Sequence, residues 1–153
     1  MGNEQVLADY IPSGKSVLEI GCGSGIITLF LAAKSKHVTA VDISPDAIEN
    51  TRINMDTYNV ENVSLLLGNA FNRVEGRFEI VVSNPPWMDF EFGDPFRMWA
   101  TSATLIPSLF QKSREFLVAD GHRVALAPDL AGLLDFPKPF HVEVGGFLIE
   151  DVE

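Results

Sequence analysis

The sequence predicts an α/β fold: one three-layer, doubly wound domain on a mostly parallel sheet. Three observations carry this. Short apolar runs alternate with segments of helical period, the pattern of parallel strands joined by right-handed helical crossovers. The first run turns on closely spaced glycines straight into the first helical segment. The chain closes with two apolar runs around Gly145-Gly146, a hairpin signal that puts one antiparallel strand into the sheet.

Residues 3–11 read as a short helix with Val6, Leu7 and Ile11 on one side, ended by Pro12-Ser13-Gly14. The first strand is 16–20. A helix over about 24–35 places Ile26, Leu29, Phe30 and Ala33 at i, i+3, i+4 and i+7, which predicts that face against the core. Lys34 and Lys36 suit its C-terminal end. The second strand, 38–42, ends on Asp42. Ser44-Pro45 then offers an N-cap and a first-turn proline to a helix over 45–58, with Ala47, Ile48, Thr51 and Met55 inward and Asn59 closing it. Strands at 63–67 and 78–83 follow, the latter opening into Asn84-Pro85-Pro86-Trp87. Residues 88–99 are irregular, with Phe96 and Trp99 expected to pack that segment over the site. A helix over 106–118 aligns Ile106, Leu109, Phe110 and Leu117. Asp120-Gly121 reads as a turn before a fifth strand at 122–127. Residues 128–139 read as loop, and 140–144 and 147–152 as the hairpin. No repeat, low-complexity tract or linker interrupts the chain, so 1–153 reads as a single domain.

Composition bounds the function. Apolar residues make up 46%, enough for a substantial core. Eleven Lys and Arg stand against 21 Asp and Glu, a net charge of −10, with no basic patch, which disfavours nucleic acid as a partner for this chain alone. One cysteine, Cys22, excludes an internal disulfide and suits a reducing compartment. The first ten residues lack the features of a signal peptide, and no apolar run approaches the roughly 20 residues that span a bilayer. The expectation is a cytoplasmic protein with no membrane partner. His37, His122 and His141 are scattered without metal-ligand spacing, so no metal site is expected.

Four positions fall at the carboxyl ends of strands, where ligands sit in a sheet of this kind. The first is the turn Gly21-Cys22-Gly23-Ser24-Gly25, with Glu19 two residues before it. Strand, glycine turn and helix make the layout of a nucleotide-type cofactor site, because glycine lets a ligand approach the backbone. The spacing is G-x-G-x-G, not the G-x-G-x-x-G of dinucleotide binders, which disfavours a nucleotide-dependent oxidoreductase. Cys22 reads as a small buried residue, with no His nearby in sequence to make it a nucleophile. The second position is Asp42, followed by Ile43; a carboxylate there can accept both hydroxyls of a ribose, or simply end the strand and help cap the next helix. The third is Asn69-Ala70, whose amide and backbone N–H can read the edge of an adenine, or form an ordinary turn after Gly68. The fourth is Asn84, with Pro85 and Trp87.

Together the glycine loop, Asp42 in Val-Asp-Ile-Ser and Asn-Pro-Pro-Trp at the end of the fourth strand resemble the class I S-adenosylmethionine (SAM)-dependent N-methyltransferases with an (N/D)PP(Y/F/W) motif. The resemblance covers about residues 15–127. It implies a Rossmann-like sheet of seven strands in the order 3-2-1-4-5-7-6. It implies SAM as cofactor and S-adenosylhomocysteine as product, with contacts at Glu19, Gly21, Cys22, Gly23 and Gly25, at Asp42 and Ile43, and at Asn69, Ala70 and Asn84. It implies acceptor contacts at Asn84, Pro85 and Trp87. The Asn84 side-chain oxygen and the Pro85 carbonyl can hold the two hydrogens of a planar –NH2 and draw its nitrogen towards sp³, while Trp87 offers a stacking face. Two departures matter: Asn69 stands where many relatives carry Asp, and Trp87 replaces the commoner Tyr or Phe.

Those relatives modify base amines or the glutamine amide of release factors. Residues 83–99 hold Asp89, Glu91 and Asp94 against Arg97, and residues 141–153 hold Glu143, Glu150, Asp151 and Glu153 with no Lys or Arg. An acidic surround leans the expectation towards a protein glutamine, with an RNA or DNA base amine as the alternative and a partner chain then supplying basic surface. A further reading, from a different class, is a non-catalytic SAM-binding subunit.

Overall fold

In the computed structural model, residues 11–84, 109, 111–126, 141–143 and 147–151 are described, with side chains for 11–84, 109 and 111–121. The expected N-terminal helix (apart from Ile11), the 88–99 segment, Pro85 to Trp87 and the 128–139 loop lie outside them.

The elements are β1 (Ser16–Ile20), α1 (Ile26–Lys34), β2 (His37–Asp42), α2 (Pro45–Tyr58), β3 (Val63–Leu67), β4 (Phe78–Ser83), β5 (Leu117–Leu126), β6 (His141–Glu143) and β7 (Phe147–Asp151). Residue 109 and residues 111–116 are helical and lead into β5. The strands form one sheet in the order β3-β2-β1-β4-β5-β7-β6. β1 to β5 run parallel, and β7 pairs antiparallel with both β5 and β6. Among the described residues no helix is long and apolar enough to cross a membrane.

Both faces of the sheet are covered, as a parallel sheet requires, so its central strands are apolar at nearly every position. Alternation along each strand deals its residues to two cores. Val17, Val38, Ala40, Ile80 and Val82 pack with Ile27, Leu31 and Ala32 of α1, Ile48 of α2, and Ile11. Leu18, Ile20, Val41 and Val81 face the other way, onto Phe71, Val74, Leu109 and Leu117. There Phe71 and Phe116 stack with ring centroids 5.0 Å apart. Fully burying one such aliphatic side chain contributes about 1.5–3 kcal/mol.

The helix ends follow local chemistry. Ser44 Oγ accepts the Ala47 N–H at 3.2 Å, Pro45 sits in the first turn of α2, and Asn59 closes the helix at φ 52°. α1 ends differently: Asn62 Nδ2 donates to the carbonyls of Ala32 at 2.9 Å and Ser35 at 3.1 Å, giving two terminal acceptors a partner from another element.

Two expectations fail. The buried residues of α1 are Ile27, Thr28, Leu31 and Ala32, while Ile26 is 49% and Phe30 38% exposed and Ala33 is also exposed. Seven of the first eight residues of this helix are apolar, so periodicity cannot set its rotation. Thr28 sets it instead, by turning inward to reach Glu19. The second correction concerns β5, which begins at Leu117 and not at His122, so Leu117 belongs to the strand and not to a helical stripe. Leu117 pairs with Phe78 and His122 with Ile80, so four residues on β5 face the single Glu79 on β4. The expected Asp120-Gly121 turn lies inside this bulge, with Asp120 at φ 65°.

Gly25 joins the loop to α1 at φ 81°, and a Cβ there would meet Thr51 Cγ2 at 2.7 Å, Oγ1 at 2.8 Å and Cα at 3.0 Å. Gly21 shares the left-handed conformation at φ 83° but has nothing within 4 Å of that position. Gly25→Ala should therefore destabilise the protein by about 2–4 kcal/mol, from backbone strain plus overpacking, and Gly21→Ala by only about 1–2 kcal/mol. Urea unfolding of the two variants checks this; equal losses would show that the contact with Thr51 costs nothing.

Candidate functional site

Four strand ends meet on one edge of the sheet. Ile20 pairs with Val41 and with Ser83, and Asp42 pairs with Leu67. The residues that follow these ends are therefore neighbours: Gly21 after β1, Asp42 and Ile43 at the end of β2, Gly68-Asn69-Ala70 after β3, and Asn84 after β4. Backbone bonds tie the loops together. The N–H groups of Gly21 and Cys22 donate to the Val41 carbonyl at 2.8 and 3.1 Å, and the Gly68 N–H donates to the Asp42 carbonyl at 2.9 Å. Ser83 Oγ, buried, donates to the Ile20 carbonyl at 2.8 Å.

Asp42 organises the edge. Its Oδ2 accepts the Gly23 N–H at 2.9 Å and its Oδ1 accepts the Ser44 N–H at 2.9 Å. A carboxylate has about four lone-pair sites, so two remain for a ligand's hydroxyls. Gly21 and Gly23 are exposed, have positive φ, and have nothing among the described residues within 4 Å of a Cβ position, which leaves a bare backbone cradle. Gly25, by contrast, is buried and faces Thr51, so its part is to let α1 pack on α2. Asn69 is exposed, and Ala70 holds φ 48°, an uncommon conformation for a non-glycine residue and one that recurs at ligand sites. Ile43 is half-buried, and Asn84 is exposed.

Glu19 is only 1% exposed. Its Oε2 accepts the Thr28 hydroxyl at 2.6 Å, and its Oε1 has no hydrogen-bond partner among the described residues. Burial, partly offset by the Thr28 bond and reinforced by the charge of Asp42, pushes its pKa up to about 8. Burial likewise pushes the Cys22 thiol up to about 12, which makes it inert as a nucleophile, as its sequence context suggested.

Three site-supporting side chains escaped the sequence reading as such. Thr51 Oγ1 donates to the Gly23 carbonyl at 3.2 Å, and Asn54 Nδ2 donates to the Ser24 carbonyl at 2.7 Å. Residues i and i+3 of α2 thus clamp the loop from one side while Asp42 holds it from the other. Thr28 is the third. Its signal was present: it is the one hydroxyl among the first eight residues of α1.

This edge can be set beside known proteins. A model of the methyltransferase small domain family matches residues 3–129. The chain belongs to that family. It is 40% identical over 82 residues to a ribosomal protein L11 methyltransferase of Clostridium perfringens (strain SM101 / Type A), covering 52% of this chain and 26% of that protein. It is 36% identical over 92 residues to a ribosomal RNA small subunit methyltransferase C of Enterobacter sp. (strain 638), covering 58% and 27%. The chain thus spans about a quarter of the length of these curated relatives. In fold it is similar to a ribosomal protein L11 methylase of Lactobacillus delbrueckii subsp. bulgaricus, with TM-score 0.72 at 17% identity, covering 99% of this chain and 77% of that one.

For a methyltransferase domain the expected cofactor is SAM. The residues of the edge fit that molecule. The bare cradle of Gly21 and Gly23 would admit it, Asp42 has acceptor capacity to spare, and the Glu19 Oε1 is an acceptor suited to a cation.

The raised Glu19 pKa has a consequence for stability. The folded protein keeps a proton that the unfolded chain gives up near 4.5. This contribution is whole below that pH, declines as pH rises, and is gone above about 8. Glu19→Gln keeps an acceptor for Thr28 but cannot ionise. Its melting temperature should match the native value near pH 5 and exceed it near pH 8; parallel profiles at every pH would mean that Glu19 is ionised in the free protein.

Proposed function

We propose that this chain is the catalytic domain of a SAM-dependent N-methyltransferase whose acceptor is a planar amide of the glutamine type in a protein. The observation that carries this reading is the place of Asn84. Ser83 is the register partner of Ile20, so Asn84 follows β4 beside Gly21, exposed at the edge of the glycine cradle.

When bound, SAM supplies an electrophilic methyl group on a sulfonium. The chain's own residues divide the remaining work. Gly21 and Gly23 would let the cofactor close to the backbone, and Asp42 would accept the ribose hydroxyls. Asn69 and the Ala70 N–H would read the adenine edge beside Ile43. Glu19, behind Cys22 and the loop, would face the cationic end. On the acceptor side, Asn84 Oδ1 accepts one N–H of the amide and the Pro85 carbonyl accepts the other. Held at both hydrogens, the nitrogen loses conjugation with its carbonyl and its lone pair becomes available. Trp87 stacks on the amide plane. Pro85 and Trp87 enter on the sequence motif, since both lie outside the described residues.

The acidic balance supports a protein acceptor: the net charge is −10, and the segments around the motif and at the C-terminus are acidic too. The relative of 40% identity is named for ribosomal protein L11. A second reading, an RNA base amine, draws support from the relative named for ribosomal RNA. It needs basic surface from a further domain or partner chain, a need that the share of its relatives' length spanned by this chain accommodates. Both acceptors are consistent with a cytoplasmic site of action.

Asn84→Ala should abolish methyl transfer while SAM affinity stays within a few-fold, because Asn84 acts on the acceptor; near-native turnover by the variant would sink the acceptor mechanism. Incubation with tritiated SAM and a cell lysate, followed by protease or nuclease digestion, tests the acceptor class. Label released from the polymer fraction by protease and resistant to nuclease is the expected result. Label released only by nuclease would establish the RNA reading instead.

A further inference from the structure

A carboxyl group near the end of β1, buried between apolar neighbours, is costly to the core, and packing does not call for it. Its neighbours Leu18 and Ile20 are buried and apolar, and its register partners on either side, Ala40 of β2 and Val82 of β4, are apolar too. Thr28 of α1 satisfies one of its oxygens, and the other is buried without a partner among the described residues. Two residues on, the chain opens into the bare cradle of Gly21 and Gly23. Among the described residues, the titratable groups that face Glu19 are Asp42 at the end of β2 and the Cys22 thiol in the loop. Both are acids, so neither offers a counter-charge.

We infer that Glu19 is a proton-exchanging receptor for the positively charged end of the cofactor: it holds a proton in the free protein, gives it up as the cation arrives, and makes cofactor binding release a proton. The inference rests on the SAM reading, since SAM ends in an ammonium group. The balance is simple. The carboxyl O–H bond breaks, the proton goes to solvent, the carboxylate pairs with the incoming cation, and no electrons are exchanged. Desolvation keeps the carboxyl neutral while the cradle stands open, and an adjacent positive charge acts in the opposite direction. The device avoids burying an unpaired charge in the free protein, yet presents a full negative charge once a cation is there to meet it. It also makes Glu19 a specificity-determining residue, because a nucleoside without a cation cannot draw the proton off.

Calorimetric titration of the full chain with SAM at pH 6.5, in phosphate and in imidazole buffer, measures the protons exchanged; the α-amino group of SAM is itself still charged there. About one proton should be released per SAM bound by the native chain, and about none by Glu19→Gln or when adenosine replaces SAM. The native dissociation constant should also fall by about tenfold per pH unit between about pH 5.5 and 7, a readout that does not depend on the variant's folding. SAM binding with no proton release and a flat pH profile would overturn the inference while leaving the cofactor reading intact. Absence of SAM binding at every pH would overturn both.

Discussion

The carboxylate of Asp42 is the interaction on which the rest of the site depends. One oxygen holds the Gly23 N–H and the other the Ser44 N–H, so a single side chain joins the glycine loop to the start of α2. Charge-assisted hydrogen bonds of this kind are the stronger ones. Gly21 and Gly23 have positive φ and no side chains, and an unsupported glycine turn would lose much backbone entropy on becoming ordered. Thr51 and Asn54 add bonds to the Gly23 and Ser24 carbonyls from the opposite side. Three N–H groups and two carbonyls of the loop are thus held by β2 and α2 before any ligand arrives, which preorganises it.

The clamp has a cost in sequence freedom. Gly25 must remain glycine because α1 approaches Thr51 so closely, and Thr51 must keep its hydroxyl because Gly23 needs it. α2 is therefore both a crossover that covers the sheet and a wall of the site. The same economy appears at β1, where Ile20 pairs with Val41 on one side and Ser83 on the other. Parallel pairing on both flanks brings strand ends far apart in sequence to one edge.

Glu19 stands against the general rule that a core excludes unpaired carboxyl groups. Among the described residues it is the buried carboxyl group with an oxygen left without a partner, and it lies near the edge where loops from four strands converge. Departures from local consistency in an otherwise regular α/β domain are expected where function demands them.

Much of the fold was legible in the sequence. α2 runs from Pro45 to Tyr58, β3 from Val63 to Leu67 and β4 from Phe78 to Ser83, as apolar period and turn residues indicated, because caps and punctuation act within a few residues. The convergence of these strand ends was legible for the same reason: G-x-G-x-G, Asp42 and Asn84 mark strand ends, and a parallel sheet aligns such ends. Tertiary structure alone decided the rest. The rotation of α1 followed the Thr28–Glu19 bond and not the strongest apolar stripe, and β5 started five residues early to accommodate a bulge opposite Glu79. The protonation of Glu19 and the clamp by Thr51 and Asn54 likewise depend on burial and on contacts 9 to 30 residues apart in the chain. Local pattern carries the elements and the strand-end chemistry; the phase of an all-apolar helix, the register across a bulge and the charge state of a buried acid are set by partners that only folding brings within reach.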